Sequence, residues 1–315
     1  MGWLIRPGET GDIPAIVGLL NAVLPAAEQV TEASLRFDDG LVRPDEVFSR
    51  LVALEEGAIV ATGQTQNSHL RPRGRFTLTL AVHPASRGRG IGMQLERRLR
   101  ASAASGGGTE LTATIREDDA PSRGFLERRG YREAYQRFEM ELDVSAFDWS
   151  RFEGWRTRLG GLGLRTAADL GVDEQMLRQL LELSMEVGRD VPHPEGAPAF
   201  TLEDFEQFSR MPGFRPDGLF ILVDGDRFAG LSGVMTLEGR PAYTYFTGVD
   251  RAYRGRGLAT VLKLATIEYV QRLGIPAMRT NNDTVNYPMV AVNEKLGYRR
   301  LPARVAMKRH LEDAR

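Results

Sequence analysis

The chain of 315 residues contains no cysteine. That excludes disulfides, thiolate nucleophiles and thiolate-held metals. No metal site is expected, and a reducing, cytoplasmic setting is the default for such a chain. Lysine is scarce as well: it occurs only at Lys263, Lys295 and Lys308, although Lys and Arg together number 41. The basic residues are therefore nearly all arginine, a compositional bias that assigns no function by itself. Asp and Glu number 42, for a net charge of −1. No overall field draws the chain to nucleic acid or to an anionic membrane, and neither partner is expected. No stretch approaches the roughly 18 apolar residues of a spanning helix. The opening Met1-Gly2-Trp3-Leu4-Ile5-Arg6-Pro7 lacks the basic start and apolar run of a signal peptide. The length implies about two domains, each large enough to bury its own core.

What the chain does have is Arg254-Gly255-Arg256-Gly257-Leu258-Ala259. The run before it, Tyr243 to Val249, has the β-branched and aromatic enrichment of a strand. The run after it places Leu258, Val261, Leu262, Ala265 and Tyr269 at helical spacing. Strand, basic Gly-rich turn and helix follow in order. Gly255 and Gly257 allow backbone conformations that a Cβ would block. Their N–H groups can then converge at a helix N-terminus, which favours anions. Arg254 and Arg256 add donors suited to phosphate.

The same device occurs earlier, as Arg87-Gly88-Arg89-Gly90-Ile91-Gly92 after the strand pattern Phe76 to Val82. Arg254 follows Arg87 by 167 positions, as Gly297 follows Gly130 and Pro288 follows Pro121. Three landmarks in one ungapped register indicate an internal repeat, too long for a solenoid and so a duplicated domain. A dinucleotide-binding turn is excluded by spacing, since Gly88-x-Gly90-x-Gly92 is not Gly-x-Gly-x-x-Gly.

Each half reads β-α-α-β-β-β-α-β-α-β, which predicts a mixed, mostly antiparallel sheet flanked by helices, an α/β (α+β) fold. The expected boundaries are 1–145 and 163–315, with 146–162 connecting them. A second amphipathic helical stretch is expected from Glu46 to Arg50. The aromatics Trp149, Phe152 and Trp155 suggest a helix in the connection. Glu55-Glu56-Gly57 and Asp224-Gly225-Asp226 read as hairpin turns. Gly188 to Ala199, with three prolines, reads as a surface lid.

At this point the sequence resembles the Gcn5-related N-acetyltransferases (GNAT superfamily). That family carries Gln/Arg-x-x-Gly-x-Gly/Ala after its fourth strand. Arg87-x-x-Gly90-x-Gly92 and Arg254-x-x-Gly257-x-Ala259 both match. A later family motif runs Asn-x-x-Ala-x-x-x-Tyr-x-x-x-Gly-Phe. Asn286, Gly297 and Tyr298 match its Asn, Gly and aromatic positions, while Met289 and Asn293 replace Ala and Tyr. The first copy holds Asp119, Ser122, Leu126, Gly130 and Tyr131 there. The resemblance spans both halves, as in tandem members such as mycothiol synthase.

The resemblance implies acetyl-CoA as co-substrate and acetyl transfer to a small-molecule or peptide amine by direct attack in a ternary complex. It implies that Val82, Arg87, Gly88, Arg89, Gly90, Ile91 and Gly92 bind acetyl-CoA in one half. Gly248, Val249, Arg254, Gly255, Arg256, Gly257, Leu258, Ala259 and Asn286 would do so in the other. The family Tyr protonates the departing thiolate. Neither Leu126 nor Asn293 supplies a proton at neutral pH, so the general acid stays open. Asn293 and Tyr245 are the catalytic candidates, and Asp190 and His193 the candidates for the acceptor. The C-terminal half is expected to do the chemistry, in a monomer or homodimer. The alternative is a non-catalytic acyl-CoA sensor or scaffold.

Overall fold

The computed structural model describes residues 2–190, 200–283 and 286–311. The chain forms two compact units. One runs to Tyr135 and takes in the chain from Arg304; the other is Gln136–Ala303.

In the first unit β1 (Leu4–Pro7) is followed by α1 (Ile13–Val23) and α2 (Glu32–Gly40). Then come β2 (Phe48–Glu55), β3 (Ala58–Gln66), β4 (Arg75–Val82), α3 (Ile91–Ser105), β5 (Glu110–Arg116) and α4 (Ala120–Glu127). Strands β1 to β4 pair antiparallel in chain order, and β4 pairs parallel with β5. Helix α3 buries Ile91, Leu95, Leu99 and Ala103, one residue per turn on a single stripe. β4 offers Phe76 and Leu78 from one face, as the two-residue strand period requires. Leu111, Leu126 and Tyr131 complete this core.

In the second unit β6 (Arg132–Asp143), β7 (Gly163–Thr166), α5 (Ala167–Leu170), α6 (Glu174–Gly188) and α7 (Leu202–Ser209) come first. β8 (Phe214–Asp224), β9 (Arg227–Met235), β10 (Ala242–Val249), α8 (Leu258–Arg272), β11 (Ala277–Asp283) and α9 (Tyr287–Lys295) follow, and β12 (Arg299–His310) starts in this unit and ends in the first. β7 to β10 pair antiparallel in order, and β10 pairs parallel with β11. The mixed, mostly antiparallel sheet is thus present in both units.

The halves exchange their last strands. From Arg137, β6 pairs with β11 in the second unit, and from Arg304, β12 pairs with β5 in the first. Val305 and Met307 are fully buried in the first unit's core, as Met140 is in the second's.

Two local expectations are corrected. Glu46 to Arg50 is not helical: the second helix lies earlier, capped by Thr31, whose hydroxyl accepts from the Ser34 N–H at 3.0 Å. Val47 instead exchanges hydrogen bonds with Asn67 and leads into β2. The stretch 146–162 forms two short 3₁₀ turns, Trp149–Phe152 and Trp155–Leu159, rather than one helix. Gly154 and Gly160 take positive φ and break it. Its aromatics still pack, with Trp155 buried and Phe147, Trp149 and Phe152 against the second unit's core. Among the described residues no helix is long and apolar enough to cross a membrane.

Candidate active site

In the second unit, β10 ends at Val249, a 3₁₀ turn covers Arg251–Tyr253, and α8 begins after Gly257. Gly255 and Gly257 have φ of +78° and +74°, which L side chains rarely adopt. The backbone can bend so that unpaired N–H groups gather at the helix start. The Asp250 carboxylate fastens the turn from below, accepting from the Ala252 N–H at 2.8 Å and from Arg227 at 2.7 Å. Burial raises this carboxyl, but the bonds from Ala252 and Arg227 outweigh it and hold it below its ordinary value. Arg254 donates from Nε to the Val249 carbonyl at 2.9 Å, and Arg256 lies over the Tyr253 ring, 5.5 Å from its centre.

The first unit repeats this geometry. Gly88 and Gly90 have φ of +76° and +83°, and Arg87 donates from Nε to the Val82 carbonyl at 3.1 Å. His83, equivalent to Asp250, accepts from Ala85 N–H. Arg89 differs from Arg256: it forms a two-pronged pair with Glu55, at 2.8 and 2.5 Å.

In each unit the strand that leads to the cradle loses its parallel partner before the turn. β10 pairs with β11 only over Ala242 to Thr244, and β4 with β5 only over Arg75 to Leu78. Beyond those points the strand edges part. Asp250 N–H donates to Ala229 on the β9 side. Strand alternation therefore turns the N–H groups of Val249 and Thr247 toward the parted edge.

The two sheets differ in one strand irregularity. On β10, Thr244 opposes Val234 and Phe246 opposes Gly233, so Tyr245 is the extra residue of a β-bulge. β4 pairs with β3 without interruption. Gly233 makes room for the bulge: a Cβ there would lie 2.0 Å from the Tyr245 hydroxyl oxygen. The Tyr245 ring packs edge-on against Phe208, with centroids 4.7 Å apart. Burial pushes its phenol above the ordinary tyrosine range, so it stays protonated through neutral pH.

The other expected residues fall as follows. Asn286 precedes α9 without capping a backbone N–H. Asp119 does cap α4, accepting from Ser122 N–H at 3.1 Å. Asn293 is fully buried and donates from Nδ2 to Asn282 Oδ1 at 2.9 Å, while its own Oδ1 and the Asn282 Nδ2 have no partner. Leu126 is core. Ala259 is the second residue of α8, as Gly92 is of α3, and a Cβ at Gly92 would make ordinary or slightly tight contacts with Phe125 and Val82. Gly248 is buried in β10 against Val187, and Leu258 and Ile91 anchor the two helix starts in their cores. Asp190 lies just beyond α6 and joins the cradle: its Oδ2 is 2.7 Å from Arg254 Nη1, and it also pairs with Arg251. Hydrogen bonds from Arg251, then Arg254, hold its carboxyl below the usual range. His193 and most of the expected lid lie outside the described residues.

Sequence reading missed Asp250, Arg251, Gly233 and Asn282. Arg251 and Asp250 flank the recognised motif, and the repeat register would have exposed them, because Pro84 and His83 stand at the same places.

The family description "Acetyltransferase (GNAT) family" matches residues 13–131 and 176–298. A mycothiol acetyltransferase of Thermobifida fusca is 28% identical over 305 residues, covering 91% of each chain. One of Geodermatophilus obscurus is 28% identical over 310 residues and 94% of each chain. Among solved structures, a tandem GNAT protein from the clavulanic acid biosynthesis pathway superposes with a TM-score of 0.76 at 22% identity, covering 98% of both chains. A GCN5-related N-acetyltransferase from Sphaerobacter thermophilus gives 0.72 at 19% identity, over 98% of this chain and 95% of the other. At those identities the structural likeness speaks for the fold.

Proposed function

The chain belongs to the acetyltransferase (GNAT) family, which makes it an acetyl-CoA-dependent N-acetyltransferase, and on that premise we propose that its C-terminal half carries the reaction and that the acceptor is a small-molecule or peptide amine. The repeat limits 1–145 and 163–315, joined by 146–162, are part of this proposal. Acetyl-CoA supplies an activated acetyl thioester. The residues present fit it: two glycines at positive φ leave the turn without Cβ atoms, no described side chain beyond the chain neighbours comes within 4 Å of the Cβ place at Gly255, and the group nearest that of Gly257 is the Arg158 guanidinium at 3.2 Å. Arg254 and Arg256 would hold phosphate. The parted edge of β10 would take an extended, amide-rich chain as an added strand.

The amine reacts as the neutral base in a ternary complex: its nitrogen bonds to the thioester carbonyl carbon, the C–S bond breaks, and CoA leaves as the thiolate, which takes up a proton from water. The N–H groups of Val249 and Thr247 are the donors available to a developing oxyanion. Tyr245 is a phenol at neutral pH and so a donor rather than a base. The proton of the amine leaves to a base reached directly or through water.

The observation that carries the assignment to the C-terminal half is the bulge at Tyr245, present in β10 and absent from β4. Bulges free backbone groups and re-aim side chains beside active sites. Asn286 supports it too, because its side chain is not spent on a helix cap. The test is release of free CoA thiol when a panel of amines is supplied, beginning with the acceptor of the mycothiol acetyltransferases. Turnover with any member supports the reading. Tight binding of acetyl-CoA with no turnover across the panel would favour the sensor.

A further inference from the structure

Two guanidinium groups in the second unit converge on one carboxylate. Arg254 approaches Asp190 Oδ2 at 2.7 Å through Nη1. Arg251 approaches the same carboxylate through Nη2, and through Nε at 3.4 Å. Arg254 is at the same time tied by Nε to the Val249 carbonyl, so its guanidinium is aimed across the turn and its outer edge faces Asp190. A planar fork of donors turned toward an anion is the arrangement that also recognises phosphate. A carboxylate and a phosphate oxygen compete for it directly.

We propose that Asp190 is a resident anion in a two-arginine phosphate site: it holds Arg251 and Arg254 until a phosphate group of CoA displaces it, which makes Arg251 a phosphate-binding residue beyond the sequence motif. The inference rests on the reading of this cradle as the CoA site. The first unit lacks the device. Pro84 stands at the position of Arg251. Arg87 has no ion-pair partner among the described residues.

The arrangement sets a threshold. Side-chain exposure is 30% for Asp190 and 68% for Arg251, so each pair is weakened by water and salt, and phosphate can displace the carboxylate readily. Without a ligand the carboxylate keeps two like charges from repelling one another beside α8. With a ligand, both arginines turn to the phosphate and Asp190 is released.

The experiment is calorimetric titration of the full chain with CoA and, in parallel, with inorganic pyrophosphate. The variants are Asp190→Asn, Asp190→Ala, Arg251→Ala and Asp190→Ala combined with Arg251→Ala. Both Asp190 variants should bind either anion more tightly, by roughly 2- to 30-fold, with Ala above Asn because Asn still accepts a hydrogen bond. Arg251→Ala should weaken CoA binding, and the gain from Asp190→Ala should shrink when Arg251 is absent. Unchanged or weaker CoA binding in both Asp190 variants overturns the inference and leaves the acetyl-CoA reading standing. Tighter pyrophosphate binding with no CoA binding in any form would overturn the CoA reading and leave the resident anion standing. No binding of either anion overturns both.

Discussion

Glu96 and Lys263 hold the same place in the two repeats, 167 positions apart, and set opposite charges against the same tyrosine. Glu96 is buried, accepts from the Tyr131 hydroxyl at 3.1 Å and pairs with Arg100 at 3.0 Å. Lys263 is buried too, with its Nζ 4.9 Å from the centre of the Tyr298 ring and no hydrogen-bond partner among the described residues. The carboxylate has been accommodated by a donor and a cation. The amine has been given an aromatic face alone, and burial pushes its pKa down to about 7.

Lys263 therefore ties stability to pH. In the unfolded chain it holds its proton up to about pH 10.4, and in the folded chain only to about pH 7. Between those values the unfolded state binds more protons, so stability rises with pH, by up to about 1.4 kcal/mol per unit. The contribution is complete above the unfolded pKa and is lost as pH falls toward the folded one. Lys263→Met should be more stable than the parent at pH 7 and should flatten this rise. Urea unfolding from pH 7 to 9.5 measures both slopes, and a parent curve that falls with pH would contradict the account.

Glu96→Ala should destabilise the chain by about 1–3 kcal/mol, because it leaves the Tyr131 hydroxyl buried without its acceptor. Adding Tyr131→Phe should recover part of the loss. A double-mutant cycle by denaturant unfolding reads the coupling, and strict additivity would show that the two do not act as a pair.

Gly233→Ala should cost about 1–3 kcal/mol by pushing on Tyr245, since the new Cβ would meet the ring 2.0–2.1 Å away. Tyr245→Ala in the same chain should relieve it. Equal losses from Gly233→Ala with and without Tyr245 would mean that the ring does not depend on that glycine.

The residues before the two short helices should separate capping from binding. Asp119→Ala should lower stability by about 1 kcal/mol and leave turnover near the parent value. Asn286→Ala should do the reverse, with little change in midpoint and a raised KM for acetyl-CoA. Thermal melts and steady-state rates on the two variants check this. Turnover lost with Asp119 would argue for chemistry in the first half.

The cradles and the order of elements were legible in the sequence because glycine at positive φ and strand or helix periodicity are local signals. Gly255 and Gly257 announced their turn, and Asp224-Gly225-Asp226 its hairpin. What escaped was non-local. The exchange of β6 and β12 leaves no mark, since Phe138 and Met140 would alternate in the same way in either unit. The bulge at Tyr245 needs Gly233 from the neighbouring strand. The bond from Asn293 to Asn282 joins a helix to a strand. Asp190 read as part of an acidic lid because its arginine partners lie about sixty positions away in sequence.

The central claim is that the C-terminal half does the chemistry, and blocking each cradle in turn tests it most directly. Gly90→Trp and Gly257→Trp place the same bulk at equivalent helix starts, where φ is +83° and +74°, so the backbone strain is comparable and folding can be verified for both by circular dichroism. Acetyl transfer to the best amine of the panel should be lost in Gly257→Trp and retained in Gly90→Trp. Turnover that survives Gly257→Trp and disappears in Gly90→Trp would contradict the assignment.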